Sequence, residues 1–98
     1  MPYKIEFTLE AKRHLDALTA RDRAILLDAI EEQLAHQPTV ATRNRKPLRS
    51  SPLADWELRV GQYRVFYAVR EEQVLVLIIA IGVKEHNRLV IEGKEYKL

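Results

Sequence analysis

Arg59 and Arg64, five positions apart, are the side chains of this chain best placed to do chemistry. They flank Gly61-Gln62 in the stretch Trp56 to Tyr67, WELRVGQYRVFY. A Gly-containing pair between two runs of alternating apolar and polar residues predicts a β-hairpin closed by a two-residue turn. In that register Val60 faces Tyr63 and Arg59 faces Arg64. Like charges directly opposite on a sheet face repel. Such a pair is tolerated when both guanidiniums reach water while their stems cover apolar surface. It is also tolerated when an anion sits between them. A planar guanidinium grips phosphate oxygens with two parallel hydrogen bonds, so the second reading points to a phosphate-bearing ligand. This stretch alone leaves both open.

The elements around the hairpin decide which way those arginines face. Strand side chains alternate, so Trp56, Leu58, Val60, Tyr63, Val65 and Tyr67 share one large, apolar face, the predicted core face. Trp56 is thereby a core aromatic rather than a platform for stacking a base. Glu57, Arg59, Gln62, Arg64 and Phe66 share the other face. Upstream, Tyr3 to Phe7 reads as a first strand. Thr8 is a helix N-cap, and Ala11, Leu15 and Leu18 recur at helical spacing from Leu9 to about Leu18. A second helix runs from about Arg21 to Ala35, with Leu27, Ile30 and Leu34 on one stripe and Leu26 and Ala29 beside it. His36-Gln37-Pro38 ends it, and the short link makes the two helices an antiparallel hairpin. His14 and His36 read as surface residues.

Thr39 to Ala54 has no period and reads as an irregular surface loop, anchored through Leu48 with Lys46 and Arg49 pointing outward. After the hairpin, a turn at Glu71-Glu72 places Val69 opposite Val74 and Arg64 opposite Ile79. Val74 to Ile81 is apolar on both faces, the pattern of a central strand. Tyr3 to Phe7 is the only earlier strand that can fill its far side, and Gly82 ends it. Beyond Lys84, a small terminal hairpin and a short helix over 84–91 both fit. The chain thus reads as one α+β domain over residues 1–98, in the order β-α-α-β-β-β. Its sheet is mostly antiparallel, with a two-helix hairpin on the face bearing Trp56, Val65 and Ile78. The face carrying Arg59 and Arg64 is left open.

Composition narrows the chemistry. The chain has 98 residues, enough for one core. It has no cysteine, so no disulfide and no thiolate metal site. Its three histidines lie far apart in sequence, which argues against zinc. No metal and no cofactor is expected. The longest apolar run, Val74 to Val83, is about half of what a helix needs to cross a bilayer. Nothing at the N-terminus resembles a signal peptide, so a cytoplasmic protein is the expectation. Net charge is only +2, but residues 43–70 hold seven Lys/Arg against two Asp/Glu. Arg43, Arg45, Lys46 and Arg49 crowd into one short segment of that stretch, the footprint expected of a nucleic-acid binder, or else an ordinary solvated loop.

A strand, two helices, a basic loop and a meander containing E-L-R-V-G-x-Y-R-V-x-Y and I-G-V-K together resemble the RelE/ParE superfamily, the toxins of bacterial type II toxin–antitoxin systems. The resemblance covers nearly the whole chain, and residues 58–67 carry most of its specificity. It implies the RelE-like fold. In the RelE branch it implies a ribosome-dependent endoribonuclease that cuts messenger RNA in the decoding site; in the ParE branch, an inhibitor of DNA gyrase. A degenerate toxin acting only in an antitoxin complex is a third outcome. RNA transesterification needs the 2′-hydroxyl deprotonated, the phosphorane charge neutralised and the leaving 5′-oxygen protonated. The resemblance implies that Arg64, matching the arginine after Gly-x-Tyr, grips the scissile phosphate. Arg59 matches a basic residue on the preceding strand. Lys84 matches a position usually held by arginine, and would meet transition-state charge. His86 is either an acid–base group, since imidazole titrates near neutrality, or a solvated turn residue. Arg43, Arg45, Lys46 and Arg49 would hold flanking RNA. Glu57, where RelE itself has a lysine, and Val90, where a functional tyrosine is expected, depart from the pattern; Tyr96 is a possible substitute for the latter. The implied partners are a cognate antitoxin laid over the basic face, the ribosome with its messenger RNA, and a higher toxin–antitoxin assembly on operator DNA. No membrane is implied.

Overall fold

A threonine opens each helix. Thr8 Oγ1 accepts from the Ala11 N–H at 3.1 Å and starts α1 (Leu9–Asp16); Thr19 Oγ1 accepts from the Asp22 N–H at 3.1 Å and starts α2 (Ala20–Leu34). Each hydroxyl satisfies an N–H that has no partner inside its helix. These elements come from a computed structural model that describes residues 2–49 and 51–96. The strands are β1 (Lys4–Phe7), β2 (Arg45–Pro47), β3 (Trp56–Val60), β4 (Tyr63–Arg70), β5 (Leu75–Glu85), β6 (Arg88–Ile91) and β7 (Lys94–Tyr96).

The seven strands form one sheet, ordered β2-β3-β4-β5-β6-β7 and antiparallel along that path, with β1 added parallel to β5. The predicted hairpin register holds: Val60 pairs with Tyr63 and Arg59 with Arg64. Its core face holds as well. Leu58, Val65 and Tyr67 are buried with Val76 and Ile78 of β5 against Ala11 and Leu15 of α1 and Leu26, Ile30 and Leu34 of α2. Trp56 packs on this cluster and stacks on Tyr67, ring centroids 6.2 Å apart. The α2 stripe is rotated from the predicted one: Leu26 replaces Leu27, which is exposed. Leu26, Ile30 and Leu34 recur every fourth residue, so they keep one face over two turns.

Several expectations are corrected. Segment 39–54 is not wholly irregular, because β2 pairs with β3; three residues that include an edge-strand proline give no readable alternation. The β4–β5 connection is a 3₁₀ turn, Glu71–Gln73, followed by Val74 in the left-handed region (φ 48°), rather than Glu71-Glu72 alone. Val69 therefore pairs with Val76, and beyond a register shift at Phe66/Tyr67, Arg64 pairs with Gly82 instead of Ile79. Gly82 does not end the strand, since β5 runs on to Glu85. Residues 88–96 form the terminal hairpin, not a helix.

His14 is a further correction. It is buried rather than on the surface, and its role follows from a gap in the sheet. One edge of β5 pairs with β4. The other edge pairs with β1 over 75–78 and with β6 over 83–85, leaving 79–82 without a strand there. Side chains from the N-cap and the last turn of α1 fill the gap. The Thr8 hydroxyl donates to the Ile79 carbonyl at 2.9 Å, and the Ile81 N–H donates to His14 Nδ1 at 3.0 Å. Buried backbone groups must find partners, and here an imidazole stands in for a strand. With Nδ1 accepting, the proton sits on Nε2, 2.9 Å from Glu92 Oε1, which also accepts from Arg13 at 2.7 Å.

Candidate functional site

Gly61 makes the turn that brings the two arginines level. Its φ of +58° is a left-handed conformation that side-chain-bearing residues adopt at a cost, and β3 and β4 meet across it in register. The Lys84 N–H donates to the Gln62 carbonyl at 2.8 Å, so the same turn is tied to β5. Arg59, Arg64 and Lys84 are thus assembled by one short piece of backbone, on the sheet face away from the helices.

That face is not uniformly open. Behind the arginines Phe66, Ala80, Leu89, Ile91 and Ala54 form a second, smaller core. Leu48 packs against it, as its anchoring role requires. The terminal hairpin comes in close over Gly82. A Cβ there would stand 2.7 Å from Ile91 Cγ1 and 2.9 Å from the Val90 carbonyl oxygen, so only glycine lets β6 pass. The hairpin then forms one wall of a hollow of about 430 Å³, lined by Arg64, Lys84, Asn87, Arg88, Tyr96 and Glu57 among others. A second hollow, of about 370 Å³, lies between β2, the following loop and β3, with Lys46, Arg49, Arg59, Lys84 and Glu57 in its lining. Glu57 and Lys84 belong to both.

The arginine pair is tolerated because each guanidinium has its own acceptor. Arg59 Nε donates to Glu57 Oε2 at 3.1 Å. Arg64 Nη1 donates to the carbonyls of Gly61 and Tyr63 at 2.8 and 2.9 Å. The two share a face yet diverge, Arg59 into the second hollow and Arg64 into the first. Among the described residues, six cations (Lys46, Arg49, Arg59, Arg64, Lys84, Arg88) line the two hollows against two carboxylates, Glu57 and Glu95. A concave surface with that imbalance concentrates anions.

The remaining predicted residues divide. Lys46 and Arg49 are exposed and face the second hollow, as expected, whereas Arg43 is exposed but lines neither. Arg45 is buried: Nε donates to the Val40 carbonyl at 2.9 Å, and Nη1 to the Gln33 carbonyl and Oε1 at 2.7 and 2.9 Å. It ties β2 to the end of α2 and is lost to RNA. His86 sits in the β5–β6 turn at φ 56° and lines neither hollow, which corrects its placement among the reacting groups. Asn87 and Arg88 went unrecognised in the sequence; the hairpin's own alternation was the signal available for Arg88, which pairs with Glu95 at 3.4 Å. Tyr96 does reach the first hollow.

The clear titration shifts lie away from this face. Burial holds the Tyr67 phenol well above its usual range, and its hydroxyl donates to the Pro38 carbonyl at 2.7 Å. The Tyr63 phenol is raised by its hydrogen bond to the Asp22 carboxylate at 2.6 Å. Glu92 is lowered, first by the hydrogen bond from Arg13.

Comparison with known proteins agrees with this geometry. Residues 5–88 match the family described as the ParE toxin of type II toxin–antitoxin system, parDE. Toxin RelG of Mycobacterium tuberculosis is 32% identical over 81 residues, covering 83% of this chain and 90% of that protein. Among solved structures, the M. tuberculosis toxin–antitoxin complex RelBE2 superposes with a TM-score of 0.70 at 28% identity, over 96% of this chain and 95% of that one. A mutant of E. coli toxin RelE in the free state gives 0.65 at 29% identity, over 87% and 86%.

Proposed function

The chain belongs to the ParE toxin family of type II toxin–antitoxin systems, within the RelE/ParE superfamily, and from that premise we propose that it is a RelE-like toxin that cuts messenger RNA on the ribosome. The observation carrying this reading is the pair of adjoining cationic hollows on the helix-free face, with Arg64 and Lys84 converging in one of them. Phosphoryl transfer within RNA asks chiefly for positioning and for charge to meet the phosphorane. Arg64, its Nη1 committed to two carbonyls, presents the remaining guanidinium donors to the scissile phosphate. Lys84 meets the charge that develops in the transition state. Lys46 and Arg49 hold flanking phosphates without reading sequence.

A cognate antitoxin is the proposed partner, supported by the solved toxin–antitoxin complexes of the similar M. tuberculosis and E. coli proteins. An acidic segment over the two hollows would silence them, and repression from operator DNA by the paired proteins fits the same scheme. The toxin acts in the cytoplasm, where its substrate is. The test is purified toxin on ribosomes programmed with a defined message: cut message, mapped by primer extension, supports the reading.

The family match is to ParE, and this favours one second reading, a non-nuclease that inhibits DNA gyrase. Supercoiling inhibited in the presence of toxin, with message intact in the ribosome assay, selects it.

A further inference from the structure

We propose that Glu57 is the general base of the cleavage reaction, taking the proton from the 2′-hydroxyl that attacks the scissile phosphate. The inference rests on reading the hollows as a ribonuclease site. An acidic side chain is set into the floor of a cationic surface. Glu57 is only 4% exposed, and it is the acidic residue common to both hollows. A carboxylate drawn that far from water carries a heavy desolvation penalty, which full hydrogen bonding would normally offset. Here only half of it is engaged. Oε2 accepts from Arg59 Nε, whereas Oε1 takes no protein hydrogen bond among the described residues. It is an oriented, desolvated acceptor with a free oxygen beside the groups assigned to the phosphate.

The charged groups around it fit the role. Arg59 holds the carboxylate from its own strand, Lys46 is its cross-strand partner on β2, and Arg64 of β4 and Lys84 of β5 line the same hollows. Phe66, its partner on β4, is fully buried and closes the floor. Arg59 thereby becomes the residue that orients the base, as the third member of a catalytic triad orients a histidine. In the proposed step a Glu57 oxygen takes the 2′-hydroxyl proton and the 2′-oxygen forms a bond to phosphorus. The P–O5′ bond breaks, its electron pair leaving on the 5′-oxygen, which receives a proton from the Lys84 ammonium. Glu57 returns its proton to water and Lys84 regains one. The products are a 2′,3′-cyclic phosphate and a 5′-hydroxyl. The acidic residue that departs from the RelE pattern then supplies the function whose absence it suggested.

The test uses full-length toxin on programmed ribosomes, with single-turnover cleavage and end-group analysis. Wild type is expected to leave a 2′,3′-cyclic phosphate. Glu57→Gln, which keeps shape and a hydrogen bond to Arg59, is expected to slow cleavage by roughly 10²–10⁴-fold, the worth of a general base. It should still bind ribosomes carrying a 2′-deoxy codon as wild type does. Glu57→Ala is expected to regain rate on adding formate, a rescue that a merely structural carboxylate does not give. Should Glu57→Gln fail to fold, Glu57→Asp carries the test: it keeps the charge but withdraws the oxygen, and a loss of about 10²-fold at unchanged binding is expected. Cleavage at the wild-type rate in either folded variant, while Arg64→Ala is dead, overturns the assignment to Glu57 and leaves the ribonuclease reading standing. Loss of binding together with rate, without formate rescue, also overturns it. Intact message with wild-type toxin overturns the ribonuclease reading and this inference with it.

Discussion

Arg45 and Lys46 are neighbours, and they end in opposite roles. The parity of a three-residue strand turns Arg45 inward, where it satisfies three acceptors, and turns Lys46 out to the second hollow. Both are basic residues in a basic stretch, so composition treats them alike, and parity is readable only once the strand is recognised. Arg59 and Arg64 were legible because a glycine turn fixes their register. Removing Arg45 takes the donor from the part-buried Gln33 and Val40 carbonyls and empties the buried site its side chain fills. Arg45→Ala is therefore expected to lower unfolding free energy by about 1–3 kcal/mol in urea titration, with no change in cleavage rate per folded molecule. An unaltered unfolding midpoint together with weakened RNA binding would return Arg45 to the site.

At the scale of elements, the wall of the first hollow is the part that had to be seen rather than read. The order of β1, α1, α2, β3, β4 and β5, the core face of the β3–β4 hairpin and the pairing of β1 with β5 follow from periodicity and caps, whereas β2 does not. The closure of β6 and β7 over Gly82 does not, because it depends on which atoms meet across the sheet. Gly82→Ala forces a methyl against Ile91 and the Val90 backbone. Overpacking of this kind costs about 1–3 kcal/mol, and the cost is expected to appear as displacement of the hairpin. Chemical-shift changes should concentrate at Arg88, Leu89 and Tyr96, and cleavage should fall more than stability does.

The hairpin has a second tether in Glu92, whose turn is held to α1 by Arg13 and His14. The Arg13 hydrogen bond lowers the Glu92 carboxyl below its usual range. A group whose folded-state pKa is depressed adds stability above its unfolded pKa and loses it as pH falls through the folded one. The tether is accordingly expected to hold at neutral pH and to release in acid, below the ordinary carboxylate range. Hydrogen exchange of the β6 amides, quickening there in wild type but not in Glu92→Gln, checks this. Equal acid sensitivity in the two proteins would place the release elsewhere.

For the whole molecule, the division of labour between the two sheet faces carries the account. Among the described residues, one face meets two helices and is sealed by eleven buried residues; the other has a small core and gives the rest of its area to cations. The sequence distinguished these faces by alternation, while the local excess of Lys/Arg marked the second as the one that meets a polyanion. The most direct test is single-turnover cleavage of a ribosome-bound message by Arg64→Ala, with circular dichroism and urea unfolding on the same preparation. Arg64 is partly exposed and among the described residues bonds only its own turn, so the fold should be retained while the rate drops by at least about 10²-fold, the scale of one charge-stabilising donor. A folded Arg64→Ala protein that cuts message at the wild-type rate would contradict the claim that this face is the active site.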